Sequence, residues 1–415
     1  MNKIFESILV FSLLGLFLTD YNCASITVGK NRAVTKIKDA VSSALPGDTI
    51  FVESGLYAEG NIIIRKPIYL IGLNFPEVSG EGNNEIFTIK GKNITITGFK
   101  LSNAGISFID DNAAIKLDSS NHCSVYGNVL TNNFFGIYLA RSTDCVIKNN
   151  TIEAFHSKES FSGNGIHVWY SKNILIESNT ISGHRDGIYF EFVESSNIKR
   201  NVSFNNLRYG LHFMFSDSCS YSGNAFYNNN AGVAVMYTKN VDMHNNTFEK
   251  NYSGAAYGIL LKEISDSKIH KNTFANNSSA LYLEGCNRLE IKNNNFTGNG
   301  RAIRLMANSM DNKIIGNNFI GNTFDVTTNS LQNFNLFESN YWSDYSGYDL
   351  NKDNYGDIPH RPVKLFSTVI EKNKPALILM RSFFVEILEL AEKIFPSITP
   401  EFLADSKPSM RKISN

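Results

Sequence analysis

Apolar and polar residues alternate along residues 128–340 in a short unit that repeats many times. Each unit opens with Gly or Ala and then places apolar residues at every second position, a pattern that predicts a β-strand with one buried face. Most successive units begin 22 or 23 residues apart. The opening residues are Gly136, Gly165, Gly187, Gly210, Gly232, Gly258, Ala280 and Ala302.

Asn recurs in a second fixed phase of the same unit. A unit of this length cannot bury its apolar face alone and must stack on its neighbours. We therefore predict an all-β fold, a right-handed parallel β-helix, with coils of 22–23 residues. Each recurring Asn is expected in a turn, hydrogen-bonded to the Asn of the next coil. These residues, the Asn ladder, are Asn128, Asn150, Asn179, Asn201, Asn224, Asn246, Asn272, Asn294, Asn317 and Asn340.

The alternation divides each repeated strand into inward and outward positions. Residues predicted to point into the bore include Ile137 and Leu139, Ile166 and Val168, Leu211 and Phe213, and Val233 and Val235. The outward positions, which we call the stripe, are Tyr138, Ala140, His167, Trp169, Tyr189, Glu191, His212, Met214, Ala234, Met236, Leu260, Lys262, Tyr282, Glu284, Arg304 and Met306. The stripe is rich in aromatic, Met and His side chains, which favours a partner surface; a satellite core under loops is the alternative.

Two insertions interrupt the repeat at the same corner of the coil. Ladder Asn and the next repeat Gly are 8 residues apart in most coils, but 15 apart from Asn150 to Gly165 and 12 apart from Asn246 to Gly258. Insertions confined to one edge of a repeat protein are typical of its binding face.

Three residues of the stripe are candidate metal ligands. His212 and Met214 lie two apart on one strand, and Met236 is predicted directly above Met214. An imidazole with two thioethers about 5 Å apart suits Cu(I). A separate calcium loop is predicted at Asp349, Asn351, Asp353 and Asp357, although its twelfth position is His360 instead of Glu.

The ends of the chain differ from the repeat. We predict a signal peptide over 1–24, an N-terminal cap helix and irregular coils over 25–127, and regular coils over 128–340. An aromatic and acidic capping loop over 341–375 and a C-terminal amphipathic helix and tail over 376–415 follow. That helix is expected to cap the solenoid or to dock on a partner. Lipidation of Cys23 is an alternative to simple cleavage of the signal.

Charge and cysteine content narrow the function. The 415 residues carry 39 Lys and Arg against 39 Asp and Glu, which argues against nucleic-acid binding. Cys123 and Cys145 share an inward phase, as does Cys219, and are predicted to be small buried hydrophobes. The carboxylates of Glu191 and Glu284 lie several coils apart, whereas a lyase or glycosidase needs its catalytic groups to converge.

Several strings are specific enough to indicate a family, among them GNGIHVW, GHRDGIYFEF, LRYGLHFMFS, YGILLKEISDS and NYWSDYSGYDLNKDNYGDIPHRPVKLFS. They resemble the NosD family of nitrous oxide reductase maturation proteins over nearly the whole mature chain. The resemblance implies a non-enzymatic periplasmic protein that acts with an ABC ATPase and permease at the inner membrane. Copper, a copper chaperone and nitrous oxide reductase are the cargo and the further partners that it implies.

Two other functions fit a β-helix. One is a polysaccharide lyase or epimerase, and the other is a non-catalytic surface solenoid. Depolymerisation of a polysaccharide by the purified protein would favour the first, whereas co-purification with a permease would favour the accessory role.

Overall fold

The computed structural model describes residues 24–107, 110–155, 158–252, 256–380, 382–395 and 398–414. The predicted signal peptide, apart from Ala24, and Cys23 lie outside these residues. Three parallel sheets run side by side along this part of the chain, and successive strands of one sheet come from successive coils. The predicted parallel β-helix is confirmed.

Sheets A, B and C have 14, 13 and 12 strands in the part of the chain that is described. Sheet A comprises Ser25–Val28, Thr49–Val52, Tyr69–Gly72, Thr95–Thr97, Ser124–Tyr126, Val146–Lys148, Leu175–Glu177, Asn197–Lys199, Ser220–Ser222, Asp242–His244, Lys268–His270, Glu290–Lys292, Lys313–Ile315 and Leu336–Glu338. Sheet B comprises Leu56–Tyr57, Glu77–Ser79, Lys100–Ser102, Val129–Thr131, Thr151–Glu153, Thr180–Ser182, Val202–Phe204, Ala225–Tyr227, Thr247–Glu249, Thr273–Ala275, Asn295–Thr297, Asn318–Ile320 and Tyr341–Trp342. Sheet C comprises Ile62–Ile64, Phe87–Ile89, Ala113–Asp118, Phe135–Ala140, Ile166–Trp169, Asp186–Glu191, Tyr209–Met214, Ala231–Lys239, Tyr257–Ser265, Ser279–Glu284, Arg301–Leu305 and Phe324–Thr328.

The bore is filled by the residues that the alternation assigned to it. All eight predicted inward residues are fully buried. In the C-terminal half, one inward position is aromatic in every coil, and neighbouring rings stack with centroids 4.1–5.5 Å apart. This column consists of Phe226, Phe248, Phe274, Phe296, Phe319 and Trp342. Stacking of like rings keeps successive coils in register.

The Asn ladder is continuous from Asn128 to Asn340. In each coil the backbone N–H donates to Oδ1 of the next Asn at 2.8–3.1 Å, and the side-chain amide donates to the same oxygen at 2.9–3.1 Å. The residue before each ladder Asn has a positive φ, between 53° and 66°. This left-handed turn lets one amide face both the backbone and the coil above.

A second Asn ladder, five residues after the first, was not predicted. Backbone N–H groups donate to Oδ1 of the next Asn at 2.9–3.2 Å. Its members are Asn206, Asn229, Asn251, Asn277, Asn299 and Asn322. His184 replaces Asn one coil earlier, and its backbone N–H donates to Asn206 Oδ1. The second turn of the C-terminal coils is therefore fixed in the same way as the first.

Helices lie at the two ends. Helix α1 (Ile37–Ser43) buries Ile37, Ala40 and Val41 against the first coils, as expected of a cap. The predicted C-terminal helix is divided: α2 (Leu365–Lys372) begins inside the predicted capping loop, a 3₁₀ helix spans Lys374–Leu379, and α3 spans Phe383–Ile394. None of the described helices is long and apolar enough to cross a membrane.

Asp405, in the tail after α3, closes the Asn ladder. Its carboxylate is fully buried and accepts hydrogen bonds from the backbone N–H and side-chain amide of Asn340, each at 3.0 Å, and from Trp342 Nε1 at 3.0 Å. The Asp405 carboxylate therefore takes the place of the Asn Oδ1 acceptor that another coil would have supplied.

Replacing Asp405 with Ala should destabilise the last coils. The change orphans several buried donors, each of which costs about 1–3 kcal/mol, so we expect a loss of about 3–5 kcal/mol in the free energy of unfolding. Urea unfolding and amide exchange of the coils near Asn340 measure it. Asp405→Asn keeps one acceptor oxygen and should lose less. Wild-type stability of Asp405→Ala would show that the tail is not the cap.

Candidate functional site

The strand register of sheet C stacks the stripe into two columns. The inner column runs through Tyr138, His167, Tyr189, His212, Ala234, Leu260, Tyr282 and Arg304. The outer column runs through Ala140, Trp169, Glu191, Met214, Met236, Lys262 and Glu284. The predicted neighbours are therefore neighbours in the structure.

The two columns differ in burial. Tyr138, Tyr189 and His212 of the inner column are less than 9% exposed, although they point away from the bore. At the corner between sheets B and C, the N–H of Gly163 donates to the carbonyl of Phe134, and the carbonyl of Gly163 accepts from the N–H of Arg185, so this insertion is hydrogen-bonded to the coils on both sides. A satellite core, one of the two predicted interpretations, is present at one end of the stripe, where Tyr138 and Ala140 pack with Phe134 and Phe135. Met214 and Met236 of the outer column are half-buried.

Three segments, not two, are inserted at this corner. Besides the two predicted insertions, a longer connection joins strand Lys100–Ser102 to strand Ala113–Asp118. It precedes the regular repeat, so the period did not reveal it. All three lie on the side of the coil that carries the stripe.

Asp186 is the charged centre beneath His212. It is fully buried, and Arg208 donates to it from Nε at 2.8 Å and from Nη2 at 2.5 Å. Burial alone would raise the pKa of Asp186, but the hydrogen bonds from Arg208 and His212 outweigh it and lower the pKa. The carboxylate is therefore ionised at neutral pH and matched by the Arg208 charge.

His212 presents one free nitrogen. Its Nδ1 lies 3.4 Å from Asp186 Oδ2, while its Nε2 is buried and has no hydrogen-bond partner. A carboxylate on one ring nitrogen fixes the tautomer that leaves the lone pair on the other nitrogen. Ala234, the next residue in the column, has only a methyl group and offers the ring no polar partner. His212 therefore has the arrangement of a metal-ligating histidine.

Met214 and Met236 are paired residues on adjacent strands. Met214 shares the outward face of its strand with His212, two residues away, and its sulfur accepts a hydrogen bond from the Tyr189 hydroxyl at 3.7 Å. The register therefore places Met236 beside Met214, as predicted from the coil phase, and a metal site at His212, Met214 and Met236 stays a prediction. Two thioethers and an uncommitted imidazole nitrogen form a soft donor set that fits Cu(I).

His167 lies two coils away and is separated from His212 by the Tyr189 ring, whose centroid is 4.8 Å from one imidazole and 4.9 Å from the other. Burial, with a smaller effect of the Arg185 charge, lowers the pKa of His167 to about 3. Its Nδ1 is 3.1 Å from the Asn164 side-chain amide. It is a neutral, half-buried histidine and not a partner of the donor set.

Four exposed aromatic residues line the turn beside the outer column. Tyr170, Phe192, Phe215 and Tyr237 stack coil on coil, with centroids 4.6–5.2 Å apart. Each is at least 37% exposed and has a positive φ, 44–55°, which is costly for a bulky side chain. We call them the aromatic ladder. Phe215 directly follows Met214, and Tyr237 directly follows Met236, so the ladder borders the candidate donor set.

The remaining candidate groups are the cysteines and the predicted calcium loop. The four described cysteines, Cys123, Cys145, Cys219 and Cys286, are free and buried, as predicted for the first three. In the predicted calcium loop, Asp349 and Asn351 accept backbone N–H groups of the loop itself, and Asp357 accepts that of Leu350. These are turn-forming hydrogen bonds. A calcium site in this loop stays a prediction.

Acid should weaken the fold through His167. Its pKa is near 3 when folded and near 6.5 when unfolded, so between these values only the unfolded protein binds the proton. The free energy of unfolding is therefore unaffected by His167 above about pH 6.5 and decreases as the pH falls toward 3. His167→Gln should therefore reduce the loss of unfolding free energy between pH 6.5 and 5 by about 2 kcal/mol. Urea unfolding across this range measures it, with substitution of the exposed His122 as the control. An unchanged pH dependence would contradict the assignment.

Comparisons of sequence relate the chain to known proteins. A family model described as "Periplasmic copper-binding protein (NosD)" matches residues 41–158 and 153–347. A protein of Pseudomonas aeruginosa named "Probable ABC transporter binding protein NosD" is 30% identical over 385 residues, 86% of this chain and 87% of that protein. A protein of the same name from Stutzerimonas stutzeri is 26% identical over 373 residues, 85% of each.

Solved structures resemble the fold at low identity. The surface adhesin PfbA of Streptococcus pneumoniae is 13% identical with a TM-score of 0.56, covering 82% of this chain and 97% of the adhesin. The family 28 exopolygalacturonase of Yersinia enterocolitica is 10% identical with a TM-score of 0.55, covering 73% and 76%. These likenesses concern the solenoid architecture alone.

Proposed function

We propose a copper-handling role for this chain, because it belongs to the NosD family of periplasmic copper-binding proteins. In this proposal the exported chain binds Cu(I) at His212, Met214 and Met236 and passes it on during maturation of nitrous oxide reductase. It acts at the inner membrane with an ABC permease and ATPase and is not itself an enzyme. The observation that carries the proposal is the buried, unpartnered Nε2 of His212, on the same strand face as Met214, whose partner on the next strand is Met236.

The electrostatics of the site favour a monovalent soft ion. Asp186 and Arg208 neutralise each other, so the donor set itself carries no net charge. Thioethers and a neutral imidazole bind Cu(I) well and oxygen-preferring cations poorly. Asp186 holds His212 in place from the side opposite the ion, the usual role of a carboxylate behind a histidine ligand.

Copper transfer between proteins requires that ligands of the donor and of the acceptor approach each other closely. Met214 and Met236 are half-buried at the edge of the stripe, next to the exposed rings of Phe215 and Tyr237. Exposed aromatic side chains are typical anchors of protein interfaces. We assign the aromatic ladder to the docking of a copper chaperone, which would then place its metal beside the two sulfurs.

The transporter is assigned to the C-terminal helices. Helix α2 is attached to the solenoid through Glu371, which is almost fully buried and accepts hydrogen bonds from Arg304 at 2.7–3.1 Å. Helix α3 instead exposes Phe383, Ile387, Leu390 and Ile394, spaced to form one apolar face. An exposed apolar helix face on a protein whose relatives are named ABC transporter binding proteins fits a permease contact.

Replacing both methionines with Leu should abolish tight Cu(I) binding while preserving the fold. Leu retains the volume and hydrophobicity of Met, at a cost below about 1.5 kcal/mol per site. We expect Cu(I) affinity to fall at least 100-fold, since even partners outside the ligand shell are worth about 10–100-fold. Anaerobic competition with a chromophoric Cu(I) chelator measures it. Met306→Leu, farther along the same face, is the matched control.

In cells, the Met214→Leu, Met236→Leu double variant should yield nitrous oxide reductase that is deficient in copper clusters, although the transporter complex still assembles. The pair is needed because one thioether is replaceable by water or a neighbouring side chain. Full reductase activity under limiting copper would show that these methionines have no role in metal transfer.

Charged substitutions on α3 should release the transporter. Ile387→Glu with Leu390→Glu places two charges on the exposed apolar face without touching the bore. We expect co-purification of the permease to be lost while Cu(I) affinity is unchanged. Glu386→Gln, on the same helix but outside this face, is the control. Undiminished permease recovery with the double variant would exclude α3 as the contact.

A further inference from the structure

A second cluster of metal-ligating side chains lies on sheet A, on a different face from the stripe. Asp242 and His244 are outward residues of strand Asp242–His244, and His270 is the outward residue paired with His244 on the next strand. Their ligand atoms all lie within 4.8 Å of one another. Among the described residues, this is the only group of three His, Cys, Asp or Glu side chains that converges in this way.

The two imidazoles face one carboxylate oxygen. His270 Nε2 is 2.8 Å from Asp242 Oδ1, and His244 Nδ1 is 3.4 Å from the same oxygen. The rings are nearly parallel, 9° apart in orientation, with centroids separated by 5.0 Å. His244 Nδ1 is shielded from solvent but makes no hydrogen bond. One histidine would be enough for a surface hydrogen bond to Asp242. Here a second imidazole nitrogen, His244 Nδ1, lies near the same Asp242 oxygen and makes no hydrogen bond.

The scaffold beneath the cluster is rigid. Met243 and Ile269, the residues between and beside the three ligands, are fully buried in the bore, which fixes the strands that carry them. The side chains themselves are 27–45% exposed, so the cluster lies at the surface, with His244 Nδ1 on its shielded side. The site therefore combines preformed spacing with an open coordination position.

Neighbouring charges are compatible with a cation. Ser220 and Ser222 precede the cluster in the register, and Lys268 and Lys292 flank it on the following strands. Lys292 is paired with Glu290 at 3.2 Å, so its charge is partly compensated. Lys268 is exposed, and the high dielectric of the surface weakens its repulsion.

We propose that Asp242, His244 and His270 form a second metal site, which binds a divalent transition-metal ion, Zn²⁺ or Cu²⁺. Two imidazoles and a carboxylate are borderline donors that suit these ions, whereas the thioether set of the stripe suits Cu(I). Metal–ligand distances of about 2.0–2.2 Å require only a small inward movement from the observed spacing. The open fourth position makes the ion exchangeable.

Titration of the tag-free full-length protein with Zn²⁺ tests the site. We expect binding of one ion that His244→Asn and His270→Asn each weaken by about 100-fold, and Asp242→Asn by about 10-fold. With Cu²⁺, the electron paramagnetic resonance spectrum should show coupling to two nitrogens, reduced to one in either histidine variant. Glu290→Gln, on the neighbouring strand, is the control and should bind like wild type.

The same titration separates this site from the proposed Cu(I) site. The Met214→Leu, Met236→Leu double variant should keep its Zn²⁺ affinity, and His244→Asn should keep its Cu(I) affinity. Wild-type Zn²⁺ affinity in both histidine variants, or no binding of either divalent ion to the wild-type protein at micromolar concentration, would overturn the second site without affecting the first.

Discussion

The hydrogen bonds between successive Asn side chains set the coil register on which every other feature depends. Each amide joins a left-handed turn to the turn above it, and the chain of contacts runs unbroken from Asn128 to Asp405. Because a shift of one residue would exchange inward and outward faces, this register also decides which side chains meet outside the bore. The pairing of Met214 with Met236 is a direct consequence.

Insertions occur at positions that do not set the coil register. Sheets A and B keep short strands in most coils, while the corner leading into sheet C accepts insertions of different length. At this corner Asp186 is fully buried, and its ion pair with Arg208, whose side chain is 30% exposed, offsets the cost of burying its charge. The pair in turn orients His212. The insertions therefore change the surface at one corner of the coil while the register of the solenoid is kept.

Features that repeat with the coil could be predicted from the sequence. Contacts between the solenoid and segments that lie far away along the chain could not. The phase of Asn128 and of Gly136 was enough to place the bore residues and the stripe. The sequence left open whether the stripe is exposed or covered, and the burial of Tyr189 is known only from the structure. Asp405 lies 65 positions after Asn340, and no spacing rule connects them.

The cluster of Asp242, His244 and His270 is a different case, because the sequence contained a signal for it. His244 and His270 each stand two residues before a ladder Asn, so their phase is identical, but an insertion makes their separation 26 instead of 22. Comparison by phase, not by distance along the chain, would have paired them. The same rule places soft donors on sheet C and borderline donors on sheet A within neighbouring coils. A rigid solenoid can hold two chemically distinct donor sets at fixed positions because strand spacing supplies the geometry and only side-chain identity must change.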